Sequence, residues 1–255
     1  MMNKIVVTPQ ELMYLAVNVG ADEFFGIADP FMGMTLEEIH ASLEDVKLSL
    51  DKKGYVRMSF DGDIQVDGEV EKLVKICAFC NGCISVDKFR NGERAQLLVY
   101  ITHDDFVVLL PSDNSLCLFA IDIRQAREQL AEAVGEIPDK TAFASVRLHY
   151  TQWRELRTML ADGSMNAPSK GAEHCDETLC AILADGFSGK SDYVMLLAVG
   201  FGGHHTGSMI LLHTASGSAC AVQEDDGEWL INPPTRKIVT EWIDCSIGEY
   251  QREVE

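Results

Sequence analysis

Three closely spaced cysteines, Cys77, Cys80 and Cys83, are the residues whose spacing most suggests chemistry, because it matches three of the four ligands of a ferredoxin iron–sulfur cluster. The fourth ligand would fall at position 87, which is Asp, and no Pro follows it. As a redox pair, Cys77 and Cys80 would lie at the C-terminus of a predicted helix, whereas low thiolate pKa values arise at helix N-termini. The pattern favours buried structural thiols, with a cysteine-based metal or redox protein as the alternative.

Two further motifs suggest ligand binding. Residues 184–191 read A-D-G-F-S-G-K-S and fit a relaxed phosphate-loop pattern, but here a predicted helix precedes the loop and a strand follows it, the reverse of the required order. His204 and His205 are adjacent, so on a strand they would point to opposite faces, and no Cys or carboxylate stands at zinc-ligand spacing from them. We interpret the two motifs as a connection and a hairpin tip, and we predict neither a metal site nor a cofactor.

Motifs of catalysis and calcium binding are missing from the sequence. An EF-hand loop beginning at Asp61 would need Gly at position 66 and Glu at position 72, where the chain has Val66 and Lys72. There is no G-x-S-x-G nucleophile elbow and no H-E-x-x-H zinc motif. The sequence therefore predicts a protein without catalytic residues, which is not an enzyme.

The charge of the chain restricts its partners. The 255 residues include 21 Lys and Arg against 40 Asp and Glu, a formal net charge of -19, while 47% are apolar and suffice for a full core. Nucleic acids and anionic membrane surfaces attract clustered Lys and Arg, so neither is predicted as a partner. Such acidity suits a protein partner, and an acidic immunity-type protein that neutralises a basic toxin domain is a further alternative.

Two segments of the sequence bear on the cellular location of the protein. Residues 1–9 lack the apolar core of a signal peptide. Residues 193–223 contain no Asp, Glu, Lys or Arg, but they hold three His and many Gly, which predicts hairpin strands and no insertion into a membrane. We expect a cytoplasmic protein whose eight cysteines stay reduced.

Helices are predicted from their start signals and their apolar spacing. The segments 8–11 and 35–38 are capping boxes, and Asp122 and Thr235 are further N-cap candidates. Thr151 is predicted to cap the first helix of the second half. The predicted helices cover about 9–19, 36–53, 69–81, 122–134, 151–162 and 176–185, with a polar loop at 59–68. A last helix opens at Thr235 and carries Ile238, Val239, Trp242 and Ile243.

Strands are predicted from period-two alternation between turn residues, and Asn91-Gly92 is the strongest hairpin signal. They cover 83–90, 95–102, 106–111 and 115–121 in the first half, and 145–150, 192–201, 208–214, 219–224 and 228–231 in the second. Each half then has the order strand, helix or helices, four antiparallel strands, helix. We predict an α+β fold with an internal duplication, in which the halves 1–135 and 136–255 share one antiparallel sheet within a single structural domain.

Four passages of the chain together resemble the EspG family, cytoplasmic proteins of type VII (ESX) secretion. They are V-V-T-P-Q-E-L at residues 6–12, the helix ending in a Gly-Tyr step at 43–55, the helix at 66–79, and D-G-E-W-L-I-N-P at 226–233. The resemblance covers most of the chain and consists of element order with a few apolar and Gly positions. It implies a quasi-two-fold fold in which an antiparallel sheet is flanked by two helical bundles.

The resemblance also implies a function. EspG-like proteins are non-enzymatic chaperones that hold a helical secretion substrate, typically the PPE protein of a PE–PPE pair, before export. This sequence differs in its cysteine content and in its short Asn91-Gly92 hairpin, so a WXG100-like or LXG-like helical substrate is an equal alternative to a PPE-like one. An exposed apolar helix end is what such a chaperone would cover.

The predicted contact residues lie on two hairpin tips. Family geometry and expected exposure indicate Phe201, His204 and His205 on the second-half loop, and Arg90 and Asn91 on the first-half hairpin. All five are predicted to contact the partner.

Overall fold

The computed structural model describes residues 4–21, 24–59, 64–137, 141–161, 175–187, 191–200, 205–224 and 227–252. Its helices are α1 (Pro9–Asn18), α2 (Leu36–Lys52), α3 (Gly68–Ala78), α4 (Ile123–Val134), α5 (Tyr150–Ala161), α6 (Glu177–Phe187) and α7 (Arg236–Tyr250). Its strands are β1 (Lys4–Val7), β2 (Val56–Met58), β3 (Ile64–Val66), β4 (Gly82–Arg90), β5 (Glu93–Ile101), β6 (Phe106–Ser112), β7 (Ser115–Ile121), β8 (Val146–His149), β9 (Asp192–Gly200), β10 (His205–Thr214), β11 (Gly217–Gln223) and β12 (Glu228–Asn232). Among the described residues, no helix is both long and apolar enough to cross a membrane.

Ten strands form one antiparallel sheet in the order β1-β7-β6-β5-β4-β9-β10-β11-β12-β8. Read outward from the central β4–β9 pair, both halves have the same topology: four consecutive strands, then the strand that opened the half at the outer edge. This arrangement confirms the predicted α+β class, the antiparallel sheet and the quasi-two-fold duplication. The division of the chain at residue 135 stays a prediction.

The helices divide between the two faces of the sheet. The first bundle (α1, α2 and α3) packs over the outer first-half strands, and the second bundle (α5 and α6) packs over the outer second-half strands on the same face. Helices α4 and α7 lie together on the opposite face, where they cover the centre of the sheet. Three cores result, one under each bundle and a central one beneath α4 and α7.

Local signals account for the predicted helix starts that the structure reproduces. Thr8 and Thr35 each form a complete capping box with the Glu three residues later, and Asp122 forms one with Gln125. Each box satisfies backbone N–H groups that the first helical turn leaves without partners.

Two sequence-based predictions of elements are wrong. The predicted polar loop at 59–68 contains β3, which pairs with β2 in a separate small sheet, and Asp67 caps α3. Strands of three residues are too short for alternation to reveal them. Thr151 is not an N-cap, because α5 begins one residue earlier, where the Gln152 side chain accepts a hydrogen bond from the backbone N–H of His149 at 2.9 Å.

A stacked tryptophan pair forms the centre of the second-bundle core. The rings of Trp153 and Trp229 lie 5.0 Å apart at an interplanar angle of 21°. Both indole N–H groups are buried, and neither has a hydrogen-bond partner among the described residues. A buried donor without a partner costs roughly 1–3 kcal/mol of stability.

We therefore predict that Trp229→Phe changes the free energy of unfolding by less than about 1 kcal/mol, because loss of the unpaired donor offsets the lost ring area. The comparison variant is Tyr100→Phe, which removes a buried hydroxyl that donates to the Phe25 carbonyl at 2.7 Å. That variant is expected to cost about 1–2 kcal/mol. Urea unfolding of both measures the difference, and a larger loss for Trp229→Phe than for Tyr100→Phe would contradict the prediction.

Candidate partner-binding surface

The first-half hairpin tip is held by the start of β9. Asn91 has a φ of 53° and Gly92 a φ of 83°, as a tight type I′ turn requires. The Asp192 carboxylate accepts a hydrogen bond from the Asn91 backbone N–H at 2.9 Å, and it lies 3.7 Å from Arg90 Nε. The tip that carries the predicted contact residues Arg90 and Asn91 is thus fixed to the second half of the chain, and both residues are exposed.

The second predicted tip lies at the other end of the central strands. Phe201 and His204 lie outside the described residues, and of His205 only the backbone is described, paired with Val199 at the start of β10. The β4–β9 register places Gly200 opposite Gly82 and Tyr193 opposite Phe89. Eight residues of strand separate Asp192 from Gly200, which corresponds to roughly 26 Å. The described residues of the two predicted tips, Arg90 and Asn91 on one side and the His205 backbone on the other, therefore lie at opposite ends of the central strands.

Between these ends, the central strands carry a partly buried apolar surface. On the face that bears the two bundles, Phe89, Tyr193, Met195, Leu197 and Ile210 lie side by side and half-buried; we call these five residues the central strip. The rings of Phe89 and Tyr193 stack at 5.6 Å and 19°.

Helix packing leaves the central strip only partly covered: Tyr193 and Ile210 pack at the edge of the second-bundle core, whereas Met195 and Leu197 lie outside the three cores. The first bundle has its main contacts on β5, β6 and β7, and the second has its main contacts on β8, β10, β11 and β12. The middle of the opposite face of the same strands, which includes Val86 and Leu196, is fully buried under α4 and α7. A strand that is apolar on both faces is typical of a strand covered on both faces. The central strip is therefore suited to a cover supplied by another molecule.

One ion pair lies on the same face beside the central strip, since Asp87 pairs with Met195 and Arg94 with Phe89. Asp87, 7% exposed, accepts two hydrogen bonds at Oδ1, from Arg94 Nε at 2.9 Å and Arg94 Nη2 at 2.6 Å. This contact raises the pKa of Arg94, which stays charged. Arg94 is exposed, so a partner on the strip would meet a guanidinium in an otherwise acidic protein.

A cavity of about 310 Å³ lies behind the Arg90 end, on the face of α4. Its lining includes Lys88, Asp192, His213 and Ser218, and His213 Nδ1 lies 3.2 Å from Ser218 Oγ. Burial lowers the pKa of His213, which is therefore neutral at pH 7.

A catalytic triad would need a carboxylate to orient His213. Among the described residues no carboxylate forms an ion pair with His213, and Asp192 accepts its 2.9 Å hydrogen bond from the Asn91 N–H. The cavity therefore offers no completed acid–base arrangement.

The cysteine cluster has the surroundings expected of structural thiols. Cys77 and Cys83 are buried, and burial raises the pKa of both well above the ordinary value. Burial also raises the pKa of the half-buried Cys80 to about 11. A thiol with a raised pKa carries little thiolate at pH 7 and reacts slowly. In the described parts of the chain, no three His, Cys, Asp or Glu side chains are grouped so as to hold a metal ion.

The fold of this chain is similar to that of a solved structure from Mycobacterium tuberculosis. That structure is the type VII secretion system chaperone EspG5 in complex with the PE25–PPE41 dimer. The TM-score is 0.68 at 12% sequence identity, and the alignment covers 99% of this chain and 98% of the solved chain. This chain has the EspG fold. No family model and no curated protein matches the sequence. At this identity, the EspG likeness is one of fold.

The EspG resemblance read from the sequence is thus confirmed at the level of the fold, including the sheet with its two bundles. The central strip was not predicted. The signal that could have indicated it is β9 itself, whose sequence D-Y-V-M-L-L-A-V-G is apolar at both alternating sets of positions. Sequence alone does not show that β9 pairs with β4, where the two bundles leave the EspG sheet open.

Proposed function

We propose that the protein is a cytoplasmic, non-enzymatic chaperone that binds a helical type VII secretion substrate before export, and that the central strip is its main contact. The observation that carries this proposal is a partly covered apolar strip between two bundles of an EspG fold. The solved EspG5 chaperone is bound to a PE–PPE dimer, which supports a helical secreted partner for this chain as well. The partner class is PPE-like, WXG100-like or LXG-like.

The dimensions of the sheet limit which predicted residues the partner can touch together. A helix with its side chains is about 10–12 Å across, so the tip of a helical hairpin covers roughly 20 Å. It can lie on the central strip and reach one end of the sheet, but not both. We propose the Arg90 and Asn91 end, because the stacked Phe89 and Tyr193 rings continue the apolar surface to it.

The test is co-expression of the tagged full chain with a PE–PPE pair, a WXG100 dimer or an LXG targeting domain, followed by purification and titration. Wild type is expected to form a stoichiometric complex with one of the three classes. The double variant Tyr193→Ser/Met195→Ser is expected to weaken that complex at least tenfold, because it removes apolar area at the centre of the contact.

Matched variants separate the strip from a general loss of apolar surface. Phe79→Ser changes an apolar side chain that is 48% exposed at the end of α3, away from the strip, and it should leave the affinity within twofold. Arg90→Ser and His205→Ser test the two ends, and only the former is expected to weaken binding. Absence of a complex with all three classes, or equal affinity of the strip variant and Phe79→Ser, contradicts the proposal.

A further inference from the structure

A second exposed apolar surface lies on the first bundle, at the N-terminal end of α2. Helices α1 and α2 are antiparallel, because Glu11 near the start of α1 bonds to Ser49 and Lys53 near the end of α2. α1 has 10 residues and α2 has 17, so α2 extends about 10 Å beyond the end of α1 at 1.5 Å per residue.

The apolar seam of α2 continues into this extension without a partner. Val46 and Leu50 are buried, whereas Leu36, at the other end of the same stripe, is 76% exposed. The turn that precedes the helix adds Met32, 79% exposed, and Met34, 39% exposed. We call Met32, Met34, Leu36 and the half-buried Ile39 the methionine patch. Methionine side chains adapt to varied apolar partners.

The backbone around the methionine patch is well organised. Asp29 Oδ1 accepts a hydrogen bond from the Phe31 N–H at 2.9 Å, and the Phe31 carbonyl accepts one from the Met34 N–H at 3.1 Å. Thr35 and Glu38 complete a capping box on the first turn of α2. The apolar side chains are therefore held outward by a defined turn and helix start.

The charge around the patch defines the kind of partner. Residues 5–46 contain no Lys or Arg, yet they contain eight Asp and Glu, among them Asp29, Glu37 and Glu38 beside the patch. Hydrogen bonds from Thr35 lower the pKa of Glu38, which is ionised at neutral pH. An apolar surface with an acidic border complements an apolar stripe that is bordered by Lys or Arg.

We propose that the methionine patch is a docking site for a basic amphipathic helix of a second protein, which continues the α1–α2 seam. This site is independent of the substrate contact proposed above, because it lies on the first bundle and uses no residue of the central strip.

The test is fluorescence anisotropy of the full chain with a labelled 18-residue Leu/Lys peptide whose leucines follow helical spacing. Two control peptides are a Leu/Glu peptide with the same spacing and a scrambled Leu/Lys peptide of equal charge. At physiological salt, the helical Leu/Lys peptide is expected to bind at least tenfold more tightly than either control. Equal affinity for the scrambled peptide would mean attraction by charge alone and would overturn the proposal.

Variants of the chain place the contact. Met32→Ser/Leu36→Ser changes two side chains that are more than 70% exposed. It should lower the affinity for the helical Leu/Lys peptide at least tenfold. The control is Leu48→Ser, which changes a side chain that is 51% exposed on the same helix but outside the patch. Its affinity for the helical Leu/Lys peptide should stay within twofold of the wild-type value. Equal affinities of the two variants for the helical Leu/Lys peptide would overturn the proposal. A dimer of the chain that Met32→Ser/Leu36→Ser abolishes would also overturn it, because the patch would then bind a second copy of this chain. Capture of the secretion substrate should be unchanged in both variants.

Discussion

Glu11→Ala is expected to lower the free energy of unfolding by about 2–3 kcal/mol, below the loss for a fully buried pair because the Lys53 side chain is 34% exposed. Glu11 is 2% exposed. Its Oε2 accepts from Lys53 Nζ at 2.6 Å and from the Thr8 N–H at 2.6 Å, and its Oε1 accepts from Ser49 Oγ at 2.6 Å. The alanine leaves these donors without their acceptor at the joint between α1 and α2.

The matched control is Glu38→Ala, because Glu38 occupies the same position of a capping box on α2 but is exposed. Its expected loss is a small fraction of that for Glu11→Ala. Urea or thermal unfolding measures both, and a loss of about 2–3 kcal/mol in a chain of this size lowers Tm by roughly 8 °C. Equal losses in the two variants would show that the buried network contributes nothing beyond the cap.

Such local networks explain why much of the helical structure was predictable. A capping box is a contact within four residues, so Thr8, Thr35 and Asp122 indicate their helices without knowledge of the fold. The Asn91-Gly92 turn is equally local, because its positive φ values restrict the residues that fit. The element order that revealed the duplication is a sum of these local signals.

The candidate site was less predictable, because it depends on contacts between distant segments. The central strip exists only because β4 pairs with β9, and no local pattern specifies that pairing. The duplication also explains why Arg90 and His205 fall at opposite ends: equivalent hairpins of two halves related by a two-fold axis point in opposite directions. Expected exposure, taken loop by loop, did not show which loops lie together.

Gly82→Ala is the second variant with a large expected effect, a destabilisation of about 3 kcal/mol, at the upper end of the range for overpacking a core. Gly82 opens β4 at the centre of the sheet, opposite Ile101 and Gly200. The ring of Tyr250, 4% exposed at the end of α7, lies flat against the glycine, and an added Cβ would lie 2.5 Å from its Cγ. No real Cβ contact is that short, so the ring and the end of α7 must move.

The control is Gly248→Ala, two residues earlier in α7, where an added Cβ meets no atom within 4 Å. Alanine is the better helix former by up to about 1 kcal/mol, so this variant is expected to be neutral or stabilising. Tyr250→Leu in the Gly82→Ala background should recover part of the loss, which a double-mutant cycle measures as coupling between the two sites. Additive losses would show that the ring does not restrict Gly82.

The contact between Gly82 and Tyr250 also bears on where the substrate binds. The Asn81 side-chain amide donates to the Tyr250 carbonyl at 3.0 Å, and β4 begins at the next residue, opposite the end of β9. The end of α7 is thereby fixed to the sheet where the second predicted hairpin tip begins. The proposal predicts that Gly82→Ala, which displaces the end of α7, still binds the substrate, whereas Tyr193→Ser/Met195→Ser does not. That pair of results would place the substrate contact at the central strip and the Arg90 end. Loss of binding in a folded Gly82→Ala protein would instead place the contact at the α7 end.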